Sequence, residues 1–249
     1  MIPKKIHYCW FGNKELPLKA KKCIDSWKKF FPDYEIIEWN EKNFDINFNK
    51  YAKEAYDNKK IAFFTDVARL FIIYHNGGIY FDVDVEVIKK FDDIVLKNDA
   101  FFGLETESTV NTGLGFGANK NNWIIKEMLD DYNNKKFVSE NGEIDMTPCP
   151  VINSKVLKRE GFKLNGKYEK LRNVSIYPVD FFNPLEPASG KLNKTKNTHS
   201  IHWFLKSWVP KKQLIISTFT KPFHRVFGIN CFKWIKKFGG NIKWDINIS

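Results

Sequence analysis

The sequence predicts an α/β fold: a central, mostly parallel sheet flanked by helices, with a basic helical tail at the C-terminus. Three observations carry this. The chain opens as strand, helix, strand, the unit from which parallel sheets are built. A nearly all-apolar helical pattern then ends in paired glycines and feeds a strand of strict alternation. Short apolar runs continue to alternate with helical patterns up to about residue 204, after which the charge balance changes.

Lys5 to Phe11 (KIHYCWF) is short, apolar and aromatic and ends at Gly12-Asn13, a strand closed by a turn. A helix follows from Pro17 to Phe31, stopped by Pro32, and Tyr34 to Trp39 reads as the second strand. Parallel sheets of this kind bind ligands at the carboxyl ends of their strands. Lys60 to His75 is apolar nearly all round, the pattern of a helix buried on most sides, and Asn76-Gly77-Gly78 supplies its left-handed exit. From Ile79 to Val87 the alternation sends Phe81, Val83, Val85 and Val87 one way and Tyr80, Asp82, Asp84 and Glu86 the other. Further on come a strand at Ala100 to Leu104, a flexible glycine-rich stretch at Asn111 to Gly117, and helices near Asn122 to Tyr132 and Val151 to Glu160. Strands near Val174 to Pro178 and Ser200 to Phe204 complete the globular part.

With 249 residues, 43% hydrophobic and 16% aromatic, the chain can bury one substantial core. One domain over residues 1–208 with an extension over 209–249 is the expected organisation. No apolar run approaches the roughly 18 residues that cross a bilayer, and the start Met1-Ile2-Pro3-Lys4-Lys5 lacks the apolar stretch of a secretory signal. A cytoplasmic protein is therefore expected. Cys9, Cys23, Cys149 and Cys231 show no CxxC spacing, so reduced, packed thiols are expected instead of a zinc cluster or a disulfide framework. The net charge of +11 belongs entirely to the C-terminal part: residues 191–249 hold 12 basic residues against Asp245 alone.

Asp82 and Asp84, two positions apart on a strand, share a face, and their repulsion costs free energy unless a cation sits between or beside them. Hard oxygen ligands of this kind suit Mn²⁺ or Mg²⁺, with a substrate phosphate completing the shell. A bare DxD nonetheless fits an exposed acidic strand face better than it fits a metal. The preceding helix shifts that balance. Asp66 and Arg69 are spaced i, i+3 in a segment otherwise too apolar to leave charges unexplained. Arg69 suits a diphosphate oxygen and Asp66 suits sugar hydroxyls, although a local ion pair accounts for the two equally well.

The string TDVARLFIIYHNGGIYFDVDVEV (residues 65–87) resembles the signature of glycosyltransferase family 32, the transferases with a DXD sugar-binding region. That family includes yeast mannosyltransferases, bacterial capsule and lipopolysaccharide enzymes and relatives of the clostridial glucosylating toxins. The opening PKKIHYCWFGN and the late IHWFLKSW also fit it, so the resemblance spans about Ile2 to Trp208. It implies a GT-A type nucleotide-sugar-binding fold, a nucleotide-sugar donor of the UDP-sugar type, a glycan or lipid-linked glycan acceptor, and retention at the anomeric carbon. By residue, it implies that Trp10 stacks on the base, Asp66 holds the donor sugar and Arg69 reaches the sugar and phosphates. Asp82 contacts the ribose and the metal environment, and Asp84 is a direct metal ligand. His202 stands where related transferases close over the metal and diphosphate, Ser207 and Trp208 match a donor-capping pair, and Asn111 matches an Asn near the transferred sugar. Ordinary structural roles compete at each point: packing for Trp10, core burial for His202, a turn for Asn111 before Gly113. Ala118 to Asn122 lacks the family's usual His-Pro, which leaves the acceptor side open.

In the tail, Lys221 to Phe238 places Phe223, Phe227, Trp234, Ile235 and Phe238 near one helical face with Arg225, Lys233, Lys236 and Lys237 interleaved. Such a helix suits an anionic membrane surface at the inner face of the cell membrane, or packs its aromatics on the domain. Gly228 and Pro222 weaken the helix. Two other readings compete. IYFDVDVEV also fits the nucleophile strand of haloacid dehalogenase phosphatases, but some 80 residues precede it here and Asp92-Asp93 follows too soon for that class. A nucleic-acid-binding protein fits the basic tail but not the neutral first 190 residues, so no nucleic acid is expected as a partner.

Overall fold

The computed structural model describes residues 1–12, 14–95, 97–205, 220–228 and 231. β1 (Lys5–Cys9), α1 (Leu18–Phe30) and β2 (Glu35–Trp39) form the expected opening unit, with β1 and β2 parallel from Lys5–Glu35 to Cys9–Trp39. Pro17 stands at the N-cap of α1, where its fixed φ costs nothing. The helix buries Ala20, Cys23, Ile24 and Trp27, one stripe at i, i+3, i+4, i+7.

α2 (Lys50–Asp57) is a helix the sequence reading did not anticipate. Asn49 caps it by accepting the Ala52 N–H, and it packs on α3 (Ile61–Asn76) through Tyr51, Ala52 and Ala55. α3 buries Phe64, Val67, Ala68, Arg69, Leu70, Ile72 and Ile73, as its all-round apolarity requires. Its exit needs both glycines. Gly77 and Gly78 have φ of 65° and 106°, and a Cβ on Gly78 would stand 2.7 Å from the Lys5 carbonyl.

The remaining elements are β3 (Gly78–Tyr80), β4 (Val85–Val87), α4 (Asp92–Val95), β5 (Ala100–Gly103), β6 (Phe116–Ala118), α5 (Trp123–Asn133), α6 (Cys149–Arg159), β7 (Glu169–Leu171), β8 (Val174–Tyr177), α7 (Val179–Phe182), β9 (Leu185–Glu186), β10 (Lys191–Leu192) and β11 (Ser200–His202). A seven-stranded sheet runs in the order β2-β1-β3-β6-β5-β8-β7. β1, β2, β3, β5 and β8 point one way, and β6 and β7 run against them. The sheet is therefore mostly parallel. β5 shows how it divides the interior. Ala100 and Phe102 join the core under α3, α5 and α6, while Phe101 joins the core under α1, α4 and α7. Two short antiparallel pairs, β9–β10 and β4–β11, stand outside the sheet. No helix among the described residues is long and apolar enough to cross a membrane.

Three expectations need correction. Ile79 to Val87 is not one strand: it breaks after β3 at a turn closed by the Val85 N–H donating to the Asp82 carbonyl (3.0 Å), and β4 leaves the sheet to pair with β11. Asn111 to Gly117 is packed instead of a flexible stretch: Thr112, Leu114 and Phe116 are fully buried and its last residues belong to β6. The tail helix does not run from Lys221 through Phe238. Residues 220–227 are helical, and Gly228, at φ 80°, leaves the helix. Trp234, Ile235, Phe238, Lys233, Lys236 and Lys237 lie outside the described residues.

Candidate active site

The carboxyl edge of the sheet gathers charge from elements far apart in sequence. α3 contributes Asp66 and Arg69, whose pairing of Nη2 with Oδ1 at 2.8 Å is the expected local ion pair. Arg69 does more than that. Its Nη2 also lies 3.4 Å from Asp82 Oδ1, its Nε donates to the Thr65 carbonyl at 3.2 Å, and its guanidinium sits 5.2 Å from the centre of the Tyr80 ring. The Tyr80 hydroxyl donates to Asp82 Oδ1 at 3.0 Å. Arg69 thus pairs with two carboxylates through Nη2 while its Nε is anchored on the Thr65 carbonyl, a combination that a lysine with its single nitrogen at the end of the chain cannot reproduce.

Asp84 is held from the other side. His202 Nε2 is 3.0 Å from Asp84 Oδ1, and the Leu205 N–H donates to Oδ2 at 2.7 Å. The register of β11 on β4 places His202 opposite Val85, and the Trp203 N–H then closes on the Asp84 carbonyl at 3.0 Å. Trp203 is itself fastened: its Nε1–H donates to Glu86 Oε2 at 2.9 Å, and the Lys19 ammonium lies 4.1 Å from its ring centre. Phe204, at φ 48°, occupies a backbone region that a bulky side chain visits at a cost. Asp82, Asp84 and His202 converge so that one ligand atom from each lies within 4.8 Å of the others. Two carboxylates and an imidazole form an O,O,N donor set suited to Mn²⁺ or Mg²⁺, so the residues present fit the expected cation.

The charges follow from burial and pairing. Burial raises the Asp66 pKa to about 6, with Arg69 opposing and Asp82 assisting the rise. Burial also raises Asp82 against the pull of Arg69. At Asp84 burial acts the same way, but His202 and the Leu205 N–H outweigh it and hold the carboxyl below its usual range. His202 is raised: burial disfavours its charge, and Asp84 overcomes that. Desolvation opposes Arg69 too, yet Asp82 and Asp66 hold it well above its usual value. His202 must release its proton to ligate a cation through Nε2.

Trp10 directly follows β1 at the same carboxyl edge, half-buried against the second core, with its Nε1–H on the Lys14 carbonyl. Asn111 has a local role, accepting the Gly113 N–H at 2.6 Å, and it also donates to Glu105 Oε1 at 3.2 Å. Ser207 and Trp208 lie outside the described residues. The sequence reading missed several neighbours. Gly113 lets Asp82, Arg69 and Asn111 close in: a Cβ there would meet Asp82 Oδ2 at 2.3 Å. Beside Asp66, Cys149 opens α6 within hydrogen-bonding reach of its carboxylate; Thr112 Oγ1 is 3.9 Å from Cys149 Sγ, and Asn153 Nδ2 donates to Thr112 at 3.4 Å. Asn153 Oδ1 and His202 Nδ1 are buried with no hydrogen-bond partner among the described residues. Only the Pro148-Cys149-Pro150 start of α6 marks this floor in the sequence, and it marks a helix, not a site.

Residues 17–101 match the family model described as a glycosyltransferase sugar-binding region containing a DXD motif. This segment, about a third of the chain, is similar to the DXD sugar-binding region of glycosyltransferases. Inositol phosphoceramide mannosyltransferase 3 of Schizosaccharomyces pombe is 33% identical over 106 residues, 38% of this chain and 27% of that protein. Subversion of eukaryotic traffic protein A of Legionella pneumophila is 22% identical over 242 residues, 82% of this chain and 35% of that protein. The chain thus spans about a quarter to a third of the length of these curated relatives. The solved PaToxG glycosyltransferase superposes with a TM-score of 0.50 at 22% identity, covering 64% of this chain and 70% of its own. The fold around the DXD region is of the GT-A type. α3, β3 and the Asp82–Asp84 turn all fall inside the matched segment, whereas His202 and the α6 floor lie beyond it.

Proposed function

We propose that the protein is a metal-dependent, retaining glycosyltransferase. It moves a hexose or N-acetylhexosamine from a UDP-sugar to a glycan acceptor, a lipid-linked surface-polysaccharide intermediate at the inner face of the cell membrane. The observation that carries this reading is the convergence of Asp82, Asp84 and His202 beside the Asp66–Arg69 pair, within and next to the DXD region.

Breaking the bond between the anomeric carbon and the diphosphate leaves negative charge on the departing nucleotide, so a fixed cation and fixed donors there are the largest service the protein can offer. Mn²⁺ or Mg²⁺ held by Asp84, Asp82 and His202 supplies that cation when bound. Arg69, already fixed by Thr65, Asp66 and Asp82, places its remaining N–H groups near the diphosphate at no reorganisation cost. Asp66 accepts from donor-sugar hydroxyls, and the orphaned Asn153 Oδ1 offers a second acceptor on the same floor. Trp10 stacks on the base, Asn111 lies near the transferred sugar, and Ser207 and Trp208 close over the donor. The acceptor hydroxyl attacks the anomeric carbon on the face the diphosphate leaves, and its proton passes to the departing phosphate oxygen.

The test is donor turnover. With Mn²⁺ and a panel of nucleotide-sugars, the wild type releases nucleotide and Asp84→Ala does not, while the variant keeps its cooperative thermal unfolding. Nucleotide release by a folded Asp84→Ala protein overturns the metal assignment. Hydrolysis of p-nitrophenyl phosphate without donor turnover overturns the transferase.

A further inference from the structure

The helical segment 220–227 is oriented against the usual rule for a surface helix. Lys221 and Arg225, both exposed, reach toward the Gly190 turn: Arg225 Nη2 donates to the Gly190 carbonyl at 3.3 Å, and a Cβ on Gly190 would lie 3.6 Å from Lys221 Cδ. The opposite arc carries Phe223, Val226 and Phe227, a stripe at i, i+3, i+4 that is 52%, 72% and 70% exposed. A helix that leaves its apolar stripe in solvent while its cations, themselves exposed, reach the Gly190 turn fits an apolar medium outside the domain.

The medium is indicated by what surrounds the stripe. Gly190 belongs to the turn between β9 and β10, and beyond it Lys191, Leu192, Lys194 and Lys196 are exposed. Residues 191–249 hold 12 basic residues against one acidic residue. A second copy of this chain on the same face would set lysine against lysine. An anionic bilayer takes the aromatic side chains into its interfacial region and neutralises the lysines around them. A chain of hydrogen bonds runs from the segment before the ribbon to the site. Asn183, two residues before β9, donates to the Glu105 carbonyl at 3.2 Å, and Glu105 accepts from Asn111, whose side chain holds Gly113 against Asp82.

We propose that the Phe223–Val226–Phe227 stripe and the Lys191–Lys196 ribbon form one docking face for an anionic lipid bilayer. This rests on the proposed function only for its purpose, not for its geometry. The experiment is co-sedimentation of the full chain with vesicles of phosphatidylcholine alone or mixed in equal parts with phosphatidylglycerol. Wild type sediments with the mixed vesicles only. Val226→Glu with Phe227→Glu lowers the partition coefficient by about tenfold or more. Lys191→Glu, Lys194→Glu and Lys196→Glu each lower it about fivefold at low ionic strength. The double variant keeps wild-type thermal unfolding and wild-type turnover of a soluble donor. Undiminished sedimentation of the double variant overturns the proposal, as does equal binding to phosphatidylcholine alone. So does a wild-type dimer that the double variant splits and that does not bind vesicles. Vesicle binding by a protein with no donor turnover would count against the proposed function and leave this face standing.

Discussion

Gly113→Ala bears first on the geometry of Asp82, the site side chain that an added Cβ would approach most closely. Gly113 does not have a positive φ, so alanine adopts its backbone conformation without strain. The added Cβ would stand 2.3 Å from Asp82 Oδ2 and 3.0 Å from both Arg69 Nη1 and Asn111 Oδ1. Ordinary contacts do not fall below about 3 Å, so the carboxylate oxygen must retreat by about 0.7 Å. It cannot retreat freely, because Tyr80 and Arg69 hold its other oxygen. A displacement near 1 Å in a catalytic constellation costs about 100-fold in rate, or about 2.7 kcal/mol in the barrier. Overpacking of one methyl group costs stability about 1–2 kcal/mol, small enough to leave the protein folded. The assay is nucleotide release from a UDP-sugar with Mn²⁺, read as kcat/KM, beside thermal unfolding. Gly142→Ala is the matched control: nothing lies within 4 Å of its Cβ, and its φ of +81° makes it a strain-only change. It should lose stability and keep kcat/KM. A folded Gly113→Ala enzyme with wild-type kcat/KM would refute the claim that Asp82 must sit where it does.

Arg69→Lys leaves one of the two carboxylates at 2.8 and 3.4 Å without its partner; it should lower kcat/KM at least 100-fold and destabilise the fold by about 3 kcal/mol, read by donor turnover and urea unfolding. His7 gives a pH dependence that lies outside the site. It is fully buried and must be the neutral Nε2–H tautomer, since Nε2–H donates to the Gly77 carbonyl while Nδ1 accepts the Trp39 Nε1–H. Burial lowers its pKa to about 4. The unfolded chain, near 6.5, binds the proton first, so stability is full above that pH and falls as pH drops toward 4, by about 3 kcal/mol in all. Urea midpoints across this window should show the slope, and His7→Gln should flatten it.

The sequence reveals the fold wherever a local pattern has a single structural solution. The apolar 61–76 segment can only be a buried helix, and Gly77-Gly78 can only be its exit, because any Cβ there meets Pro3 or Lys5. The polar helix α2 was missed because it has a short apolar face, Tyr51, Ala52 and Ala55, and a lone Asn49 cap. β9 and β10 are two-residue strands with no periodicity to read. The α6 floor was illegible for a different reason: Asp66 and Cys149 meet only because α6, which packs on α5, starts beside α3, 83 positions along the chain.

The acidic segment shows how a correct inference can rest on the wrong geometry. Strict alternation from Ile79 to Val87 predicts that Asp82 and Asp84 share a strand face, and they do converge, yet a turn brings them together. The distinction matters chemically. On a continuous strand their backbone groups would be spent in a ladder and both side chains would project in parallel. At the turn, the Asp84 carbonyl instead accepts the Trp203 N–H, and its two carboxylate oxygens face His202 and Leu205. The motif is therefore completed by residues 118 to 121 positions downstream, through a three-residue antiparallel pairing that nothing in the local alternation encodes. In this form Asp84 is a charged carboxylate already compensated by an imidazole that can trade its proton for a cation, while Asp82, tied to Arg69 and Tyr80, is held in place to orient. That division of labour is why Asp84 more than Asp82 should carry the metal, and why displacing Asp82 by a methyl group should cost rate without abolishing binding.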